Sequence, residues 1–242
     1  MMKSIVRCVM PVLAVFAMVT SAAAEGCQSD WPNLARYAAA NAALAASNAG
    51  NGRVVFMGDS ITEFWSEAPE SIFSTRDYIN RGISGQTTPQ MLLRFRADVI
   101  ELKPKVVVIL AGTNDIAGNA GPTTLAQIEG NLASMVELAQ AHGIVVVLAS
   151  LLPAAHYDWA PDVKPVEKIA ALNRWIGNYA RERGLVHIDY YTPMVAAGSA
   201  LKKEYSDDGV HPNAAGYKVM NALARAAVAQ ALGRAPVGAA KQ

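Results

Sequence analysis

The stretch RVVFMGDSITEF, residues 53–64, joins an uninterrupted apolar run to a glycine, an acid and a serine. Residues 53–57 are typical of a strand buried on both faces, because such strands are continuously apolar rather than alternating. Gly58, Asp59 and Ser60 follow at once, so the predicted strand ends in polar side chains. Further strands are predicted at residues 78–83, 106–110, 144–148 and 185–190.

Segments of helical period lie between these predicted strands. In one of them Met91, Phe95 and Val99 share a face, which is the spacing of an amphipathic helix. Alternating strands and helices predict an α/β fold, with a parallel sheet covered by helices on both sides. The predicted helices cover residues 33–47, 88–102, 125–141, 166–179 and 212–232.

Length and charge narrow the possible classes of protein. A chain of 242 residues can bury roughly 70% of its unfolded surface, which is enough for one ordinary core. The formal net charge is +1, and the charged residues form no long runs, so neither nucleic acid nor an anionic membrane is a predicted partner. We expect one domain over residues 53–234, preceded by a helical segment at residues 25–52 and followed by a flexible tail at residues 235–242.

The first two dozen residues differ from the rest of the chain. Lys3 and Arg7 precede an apolar run at residues 8–19, and small residues follow it. This pattern predicts a secretory signal peptide at residues 1–24, with export to a periplasm or out of the cell. The run is shorter than the ~20 residues of a membrane span, so no stable membrane insertion is expected. Cleavage would leave Cys27 as the only cysteine, either free or paired between molecules.

Reactive side chains follow the predicted strands. Ser60 comes after the first strand, Gly85 after the second and Asn114 after the third. Ligands of open parallel sheets bind at the carboxyl ends of the strands, so these residues are predicted to share one edge. Asp208 and His211 lie three residues apart near the other end of the domain. A serine hydroxyl attacks an acyl group only with an imidazole to take its proton and a carboxylate to orient the imidazole.

Each of these residues also has an ordinary structural interpretation. Ser60 is a possible helix N-cap, Gly85 a turn glycine, Asn114 a residue of a tight loop and His211 a surface residue before a helix. Their occurrence together favours function, because the oxyanion formed in acyl transfer needs donors already in place. A glycine loop and an asparagine amide supply such donors.

The same residues resemble the four sequence blocks of the GDSL esterases, also called SGNH hydrolases. The resemblance implies that Ser60 is the nucleophile, that Asp208 and His211 complete its triad, and that Ser60, Gly85 and Asn114 form the oxyanion hole. It also implies a flavodoxin-like three-layer α/β/α sandwich with about five parallel strands. The blocks are Gly58-Asp59-Ser60, Gly85, Gly112-Thr113-Asn114-Asp115 and Asp208-x-x-His211.

The match is close, and it points to one branch of that family. Ile61 stands where the family motif has leucine, which is a small change at an apolar position. Residues 82–88 resemble the bacterial proteins related to platelet-activating-factor acetylhydrolases. We therefore expect a serine esterase without cofactor or metal that acts on short acyl or O-acetyl esters, in a small molecule, a glycan or a lipid.

Aromatic and acidic residues near the predicted site are weaker candidates. Trp65 and His156 are possible substrate contacts, and Phe64 is a possible wall of the acyl pocket, with packing in the aromatic core as the alternative for Trp65 and Phe64. Asp59 and Asp115 adjoin the proposed catalytic residues and are expected to brace their loops by hydrogen bonds.

Other functions remain open at this stage. A lysophospholipase or thioesterase acting on longer acyl chains is the nearest alternative. The α/β-hydrolase fold is disfavoured because Ser60 lacks a G-x-S-x-G motif, and a metal hydrolase because Asp208 and His211 have no companion ligands at suitable spacing. A noncatalytic carbohydrate-binding protein on the same fold is the alternative from another class. The sequence does not fix the oligomeric state.

Overall fold

Five parallel strands form the centre of the molecule. The computed structural model describes residues 30–46, 52–75 and 77–234. In space the strands follow the order β2-β1-β3-β4-β5, and every neighbouring pair is parallel. The strands are β1 (Val54–Gly58), β2 (Tyr78–Gly82), β3 (Val106–Leu110), β4 (Val145–Ala149) and β5 (Val186–Ile188).

Helices cover both faces of this sheet. On one side α5 packs between α3 and α6, and α1 packs against α3. On the other side α2 contacts β1 and β2, while α8 contacts β3, β4 and β5. The α-helices are α1 (Ala38–Ala46), α2 (Ser60–Phe64), α3 (Thr88–Asp98), α4 (Thr113–Ala117), α5 (Leu125–Ala141), α6 (Pro165–Glu182), α7 (Tyr191–Met194) and α8 (Ala214–Leu232). The predicted three-layer α/β/α class is thereby confirmed.

The strands β1 and β3 are buried as their sequence predicts, whereas β2 and β5 are only partly buried. Every residue of β1 and of β3 is buried, in agreement with their continuously apolar composition. The predicted bounds of β3 and α5 are correct, and those of β1 and β4 are off by one residue at each end. Strand β5 is shorter than predicted, because the chain turns into α7 soon after Ile188.

One predicted helix is interrupted. The apolar period over residues 88–102 continues, but α3 ends at Asp98 and a 3₁₀ turn covers Ile100–Leu102. Val99 between them has φ −128°, outside the helical region, and Lys103 adopts a left-handed conformation. Period alone does not reveal this break, since Val99 and Leu102 are still buried.

The first helical segment is 3₁₀ before it becomes α-helical. A 3₁₀ turn at Leu34–Tyr37 leads directly into α1. Tyr37 donates a hydrogen bond to the carbonyl of Gly82 and stacks on the Arg81 guanidinium, 4.5 Å from the ring centre. These polar contacts attach the segment to the end of β2.

Several predictions concern parts of the chain that lie outside the described residues. They are the signal peptide at residues 1–24, the position of Cys27 and the tail at residues 235–242. Among the described residues, no helix has the length and apolar character of a membrane span.

Candidate active site

Ser60 follows the end of β1, the strand that lies between β2 and β3. β1 stops at Gly58, Asp59 makes the turn, and Ser60 is the first residue of α2. The helix begins here because the Asp59 carboxylate accepts a hydrogen bond from the Ile61 N–H at 3.0 Å, as an N-cap does. Ser60 itself is 7% exposed, so its hydroxyl is held in a largely dry environment.

His211 connects Ser60 to a carboxylate. The Ser60 Oγ lies 2.8 Å from His211 Nε2, and His211 Nδ1 lies 2.6 Å from Asp208 Oδ2. A proton on Nδ1 is then donated to Asp208, which leaves Nε2 free to accept the Ser60 proton. The three side chains that the sequence separates by up to 151 positions thus form one hydrogen-bonded series.

The turn that carries Asp208 and His211 is held by its own hydrogen bonds. Asp208 Oδ1 accepts from the backbone N–H groups of Val210 at 2.9 Å and His211 at 2.7 Å. The Ser206 hydroxyl contacts Asp208 Oδ1 at 3.1 Å, donates to the His211 carbonyl at 2.7 Å and accepts from Gly209 N–H. The orientation of the imidazole is therefore determined locally.

These hydrogen bonds set the charge of the carboxylate. Burial alone would raise the pKa of Asp208, but the donors from the His211 side chain and from two backbone N–H groups outweigh it and lower this pKa to about 2. Asp208 is ionised at any ordinary pH. It is suited to stabilise a proton on His211.

The predicted oxyanion donors come from the two strands beside β1. Gly58 is in register with Gly82 of β2 and with Leu110 of β3, so all three strands end at one level. Gly85 and Asn114 follow these strand ends on either side of Ser60. Gly85 has φ +75°, a left-handed conformation in which a side chain would be strained. Within the described part of the chain, no backbone hydrogen bond engages the Gly85 N–H.

A second asparagine joins the two outer donors. Asn119 donates from Nδ2 to the Asn114 Oδ1 at 2.9 Å and to the Gly85 carbonyl at 3.2 Å. Asn114 in turn donates from Nδ2 to the Gln86 carbonyl at 3.0 Å. The carboxamide of Asn114 is thereby fixed at both ends, and one N–H of its amide remains available for a ligand.

The loop that carries Gly85 is also attached to α2. Glu63 accepts hydrogen bonds from the Ser84 N–H at 2.7 Å and the Ser84 hydroxyl at 2.6 Å, and it pairs with Arg36 at 2.6 Å. Although burial opposes it, these donors hold the pKa of Glu63 below its usual range. The helix that begins at Ser60 therefore holds the residue next to Gly85.

A fully buried arginine, Arg94, makes hydrogen bonds to the end of β1 and to the loop after β2. Arg94 donates to the Gly58 carbonyl at 3.0 Å, to the Gln86 side chain at 2.6 Å and to Asp98 at 2.9 Å. These three hydrogen bonds end on carbonyl or carboxylate oxygens, and the Asp98 carboxylate compensates the buried charge. Arg94 joins the end of β1 to the loop after β2.

Asp59 and Asp115 brace backbone as expected. Asp115 accepts three hydrogen bonds from the backbone and hydroxyl of Thr88, at 2.6 to 3.1 Å, which fastens α4 to the start of α3. Burial raises the pKa of Asp59 to about 7, although the Ile61 N–H and nearby His211 act in the opposite direction. Burial likewise raises the pKa of Asp115.

One predicted substrate contact requires correction. Trp65 is 1% exposed, stacks on Tyr217 of α8 and donates its indole N–H to Asn221 at 2.9 Å, so it belongs to the core. Phe64 is instead the exposed aromatic, with its ring centre 5.4 Å from that of His211. Helical spacing explains the difference, because Phe64 is four residues from Ser60 and shares its face.

His156 lies beside the turn that carries Asp208 and not in the core. Its imidazole is 3.1 Å from Asp158, and both residues line an open groove of about 580 Å³ that also includes Asp208 and Gly209. Its role as a substrate contact stays a prediction. The neighbouring Trp159 is 45% exposed, and its ring lies 6.3 Å from the His211 ring.

Sequence reasoning missed the residues that act through others. The hydrogen bonds of these residues go to side chains or carbonyls that no sequence period predicts as their partners. The residues are Asn119, Arg94, Glu63 and Ser206. A usable signal existed only for Asn119, which follows Asn114 by five residues in the glycine-rich segment GTNDIAGN, residues 112–119. No group of three or more potential metal ligands occurs among the described residues.

Comparison with known proteins identifies the family. The model of the GDSL-like lipase/acylhydrolase family matches residues 56–219, which is more than half of the chain. The chain belongs to this family. The sequence-based prediction of a GDSL-type serine ester hydrolase is thus confirmed at the level of the family.

Individual proteins agree with this assignment. The crystal structure of a proposed acylhydrolase from Bacteroides fragilis is similar with a TM-score of 0.82 and 47% identity, covering 85% of this chain and all of that one. Esterase TesA of Pseudomonas aeruginosa is 33% identical over 55% of this chain and 60% of its own length. Platelet-activating factor acetylhydrolase IB subunit alpha1 of Bos taurus is 36% identical over 43% and 45%. The chain thus spans about half the length of these two curated relatives.

Proposed function

We propose that this protein is a carboxylic ester hydrolase in which Ser60 is the nucleophile, His211 the base and Asp208 the residue that orients the base. The hydrogen-bonded series from Ser60 Oγ through the imidazole to Asp208, with distances of 2.8 and 2.6 Å, carries the proposal. A histidine without this function has no need to hold one nitrogen on a serine and the other on a carboxylate.

In the proposed reaction the Ser60 Oγ forms a bond to the ester carbonyl carbon as its proton moves to His211 Nε2. The bond from carbon to the alcohol oxygen then breaks, and the same proton passes to that oxygen. Water attacks the acyl-enzyme in the second half. The water oxygen forms a bond to the acyl carbon as a proton of the water moves to His211, and the bond from that carbon to Ser60 Oγ then breaks as His211 passes the proton to Oγ and the acid leaves.

The oxyanion that forms in each half needs donors in place. We assign this role to the N–H groups of Ser60 and Gly85 and to the side-chain amide of Asn114. The support is their common level at the ends of β1, β2 and β3 and the fixed orientation of the Asn114 carboxamide. Preorganised donors of this kind supply a large share of the catalysis in acyl transfer.

For the substrate we favour short acyl or O-acetyl esters over the long chains of a lysophospholipase or thioesterase. Similarity to a protein named as an acetylhydrolase supports the short acyl group. The complete set of nucleophile, base and donors favours an enzyme over a carbohydrate-binding protein without turnover. We further propose that residues 1–24 direct export and are removed, which the mass of the protein's N-terminal peptide would test.

The experiment is hydrolysis of p-nitrophenyl esters from acetate to palmitate by the purified protein and by Ser60→Ala. We expect turnover to be highest on the shortest chains. In the variant it should fall roughly 10⁴-fold because the nucleophile is lost, and the remaining binding and oxyanion donors should account for any residual activity. Equal turnover in Ser60→Ala and the unaltered protein would overturn the proposal. An optimum at long chains would instead favour the lipid substrate.

A further inference from the structure

An exposed tryptophan is attached to the proposed oxyanion donors by an asparagine. Trp159 donates its indole N–H to Asn119 Oδ1 at 3.0 Å, and Asn119 Nδ2 holds Asn114 Oδ1 and the Gly85 carbonyl. The indole N–H thus leads, through one carboxamide, to both donors beside Ser60.

The Trp159 ring is also held in place by Tyr157. It stacks on Tyr157, with ring centres 4.9 Å apart and 29° between the planes, and Tyr157 is fully buried. The Tyr157 hydroxyl is 2.7 Å from that of Thr113, the residue before Asn114. Segment 157–159 is therefore fastened to the loop after β3 twice, once by each aromatic side chain.

This fixed ring is nonetheless open to solvent. Trp159 is 45% exposed, and its ring centre is 6.3 Å from that of His211 at an angle of 34°. In the proposed reaction His211 passes its proton to the alcohol oxygen, so the alcohol part of the ester lies on the His211 side. A flat exposed indole there suits a ring-shaped alcohol, such as a sugar or a phenol.

We propose that the alcohol part of the substrate packs on Trp159, and that Trp159 and Asn119 together position the oxyanion donors Asn114 and Gly85. Trp159 is then a residue that determines specificity, and Asn119 is a positioning residue that acts through Asn114. The inference rests on the proposed function, since it assigns a substrate part and two supporting residues to the same site.

Two substitutions of Trp159 separate its two roles. Trp159→Phe keeps an apolar ring and removes the N–H, whereas Trp159→Ala removes both. The substrates are phenyl acetate and methyl acetate, which share the acyl group and differ in the alcohol. We expect both variants to lower kcat several-fold on both esters, because Asn119 loses its donor in each.

The KM values then report the contact with the alcohol. In Trp159→Ala we expect KM to rise about tenfold for phenyl acetate and to stay unchanged for methyl acetate, while Trp159→Phe leaves both near their original values. An equal change of KM for the two esters in Trp159→Ala would overturn the proposed contact. Trp175→Phe, at a tryptophan that stacks on Tyr179 of α6, is the matched control and should alter neither parameter.

The positioning role is tested by a double-mutant cycle. Asn119→Ala should lower kcat about tenfold with little change in KM, and the isosteric Asn119→Asp should lower it at least as much, because an acceptor then faces Asn114 Oδ1. In an Asn114→Ala background most of the effect of Asn119→Ala should vanish. Asn178→Ala on the surface of α6 is the control.

The outcomes distinguish this inference from the proposed function. If Asn119→Ala and Asn114→Ala lower kcat by independent factors, or if Asn119→Asp retains full kcat, the positioning role is wrong while Ser60→Ala still tests the nucleophile. If Ser60→Ala is fully active, the proposed function itself has failed. Circular dichroism melting of each variant shows that it is folded before its kinetics are compared.

Discussion

The two halves of the candidate site are built differently. The turn at residues 206–211 is held by hydrogen bonds among its own members, and the Asp208 side chain is 48% exposed. The loops that carry Ser60, Gly85 and Asn114 are joined by side chains from distant parts of the chain, with Arg94 fully buried among them. The geometry of the proposed base and its carboxylate is therefore set locally, whereas that of the proposed oxyanion donors depends on the packing of the whole sheet edge.

The largest effect is expected from Asp208→Asn, which breaks the local half. An amide cannot accept the Nδ1 proton in the way that the carboxylate does, so the imidazole loses its favoured tautomer and its stabilisation when charged. We expect kcat to fall about 10⁴-fold. Steady-state kinetics at pH 8 measures the loss. A decrease below tenfold would show that the carboxylate does not orient the base.

The next largest effect is a loss of stability, expected when Arg94 is replaced in the half that carries Ser60, Gly85 and Asn114. Arg94→Met removes the cation that pairs with the buried Asp98 carboxylate, which keeps only its hydrogen bond from Asn41, and this should lower the free energy of unfolding by about 3–5 kcal/mol. Urea denaturation measures it. The control is Arg183→Met at a surface pair with Glu137, where a change of at most ~1 kcal/mol is expected. Similar losses in the two variants would contradict the contrast.

Asn114→Ala tests the donor half by its chemistry. Removing one amide donor should lower kcat by about 10²- to 10³-fold, less than the loss expected from Asp208→Asn, because the N–H groups of Ser60 and Gly85 remain. The KM for p-nitrophenyl acetate should change little, because the donor acts on charge that develops during the reaction. A loss confined to KM would show instead that Asn114 binds the ground state.

The smallest effect is a change in how stability depends on pH, and it concerns Asp59, the residue before Ser60. With a pKa of about 7, against an ordinary value near 3.8, folded Asp59 binds a proton that the unfolded chain releases. Its contribution to stability is therefore present at low pH and is lost as pH rises from about 4 to 7. Asp59→Asn keeps an acceptor for the Ile61 N–H and should flatten this decline.

Melting temperatures at pH 5 and pH 8 check this prediction. Asp115, whose pKa is also raised by burial, is present in both proteins and contributes a decline of the same sign to each. The drop in melting temperature between the two pH values should be smaller in Asp59→Asn. Identical drops would show that Asp59 does not titrate in this range.

The sequence predicted those features that local patterns determine. Continuous apolar runs located β1, β3 and β4, weaker apolar runs located β2 and β5, and the Asp-x-x-His spacing located a turn whose hydrogen bonds are local. Asn119 and Arg94 were not predicted, because their roles depend on carbonyls and side chains that come together only in the folded sheet. Trp65 was placed at the site although the four-residue spacing from Ser60 favours Phe64, and its hydrogen-bond partner Asn221 lies 156 positions away in the sequence.

The closed hydrogen bonding of residues 206–211 also bears on how such a site diversifies. A segment that keeps its geometry without help from its flanks tolerates insertions and deletions in the chain before it. That chain, with its 3₁₀ turns at Ala197–Ser199 and Lys203–Tyr205, forms one side of the groove beside Asp208. In related enzymes, the residues that line this groove can therefore change while the imidazole keeps its position relative to the serine.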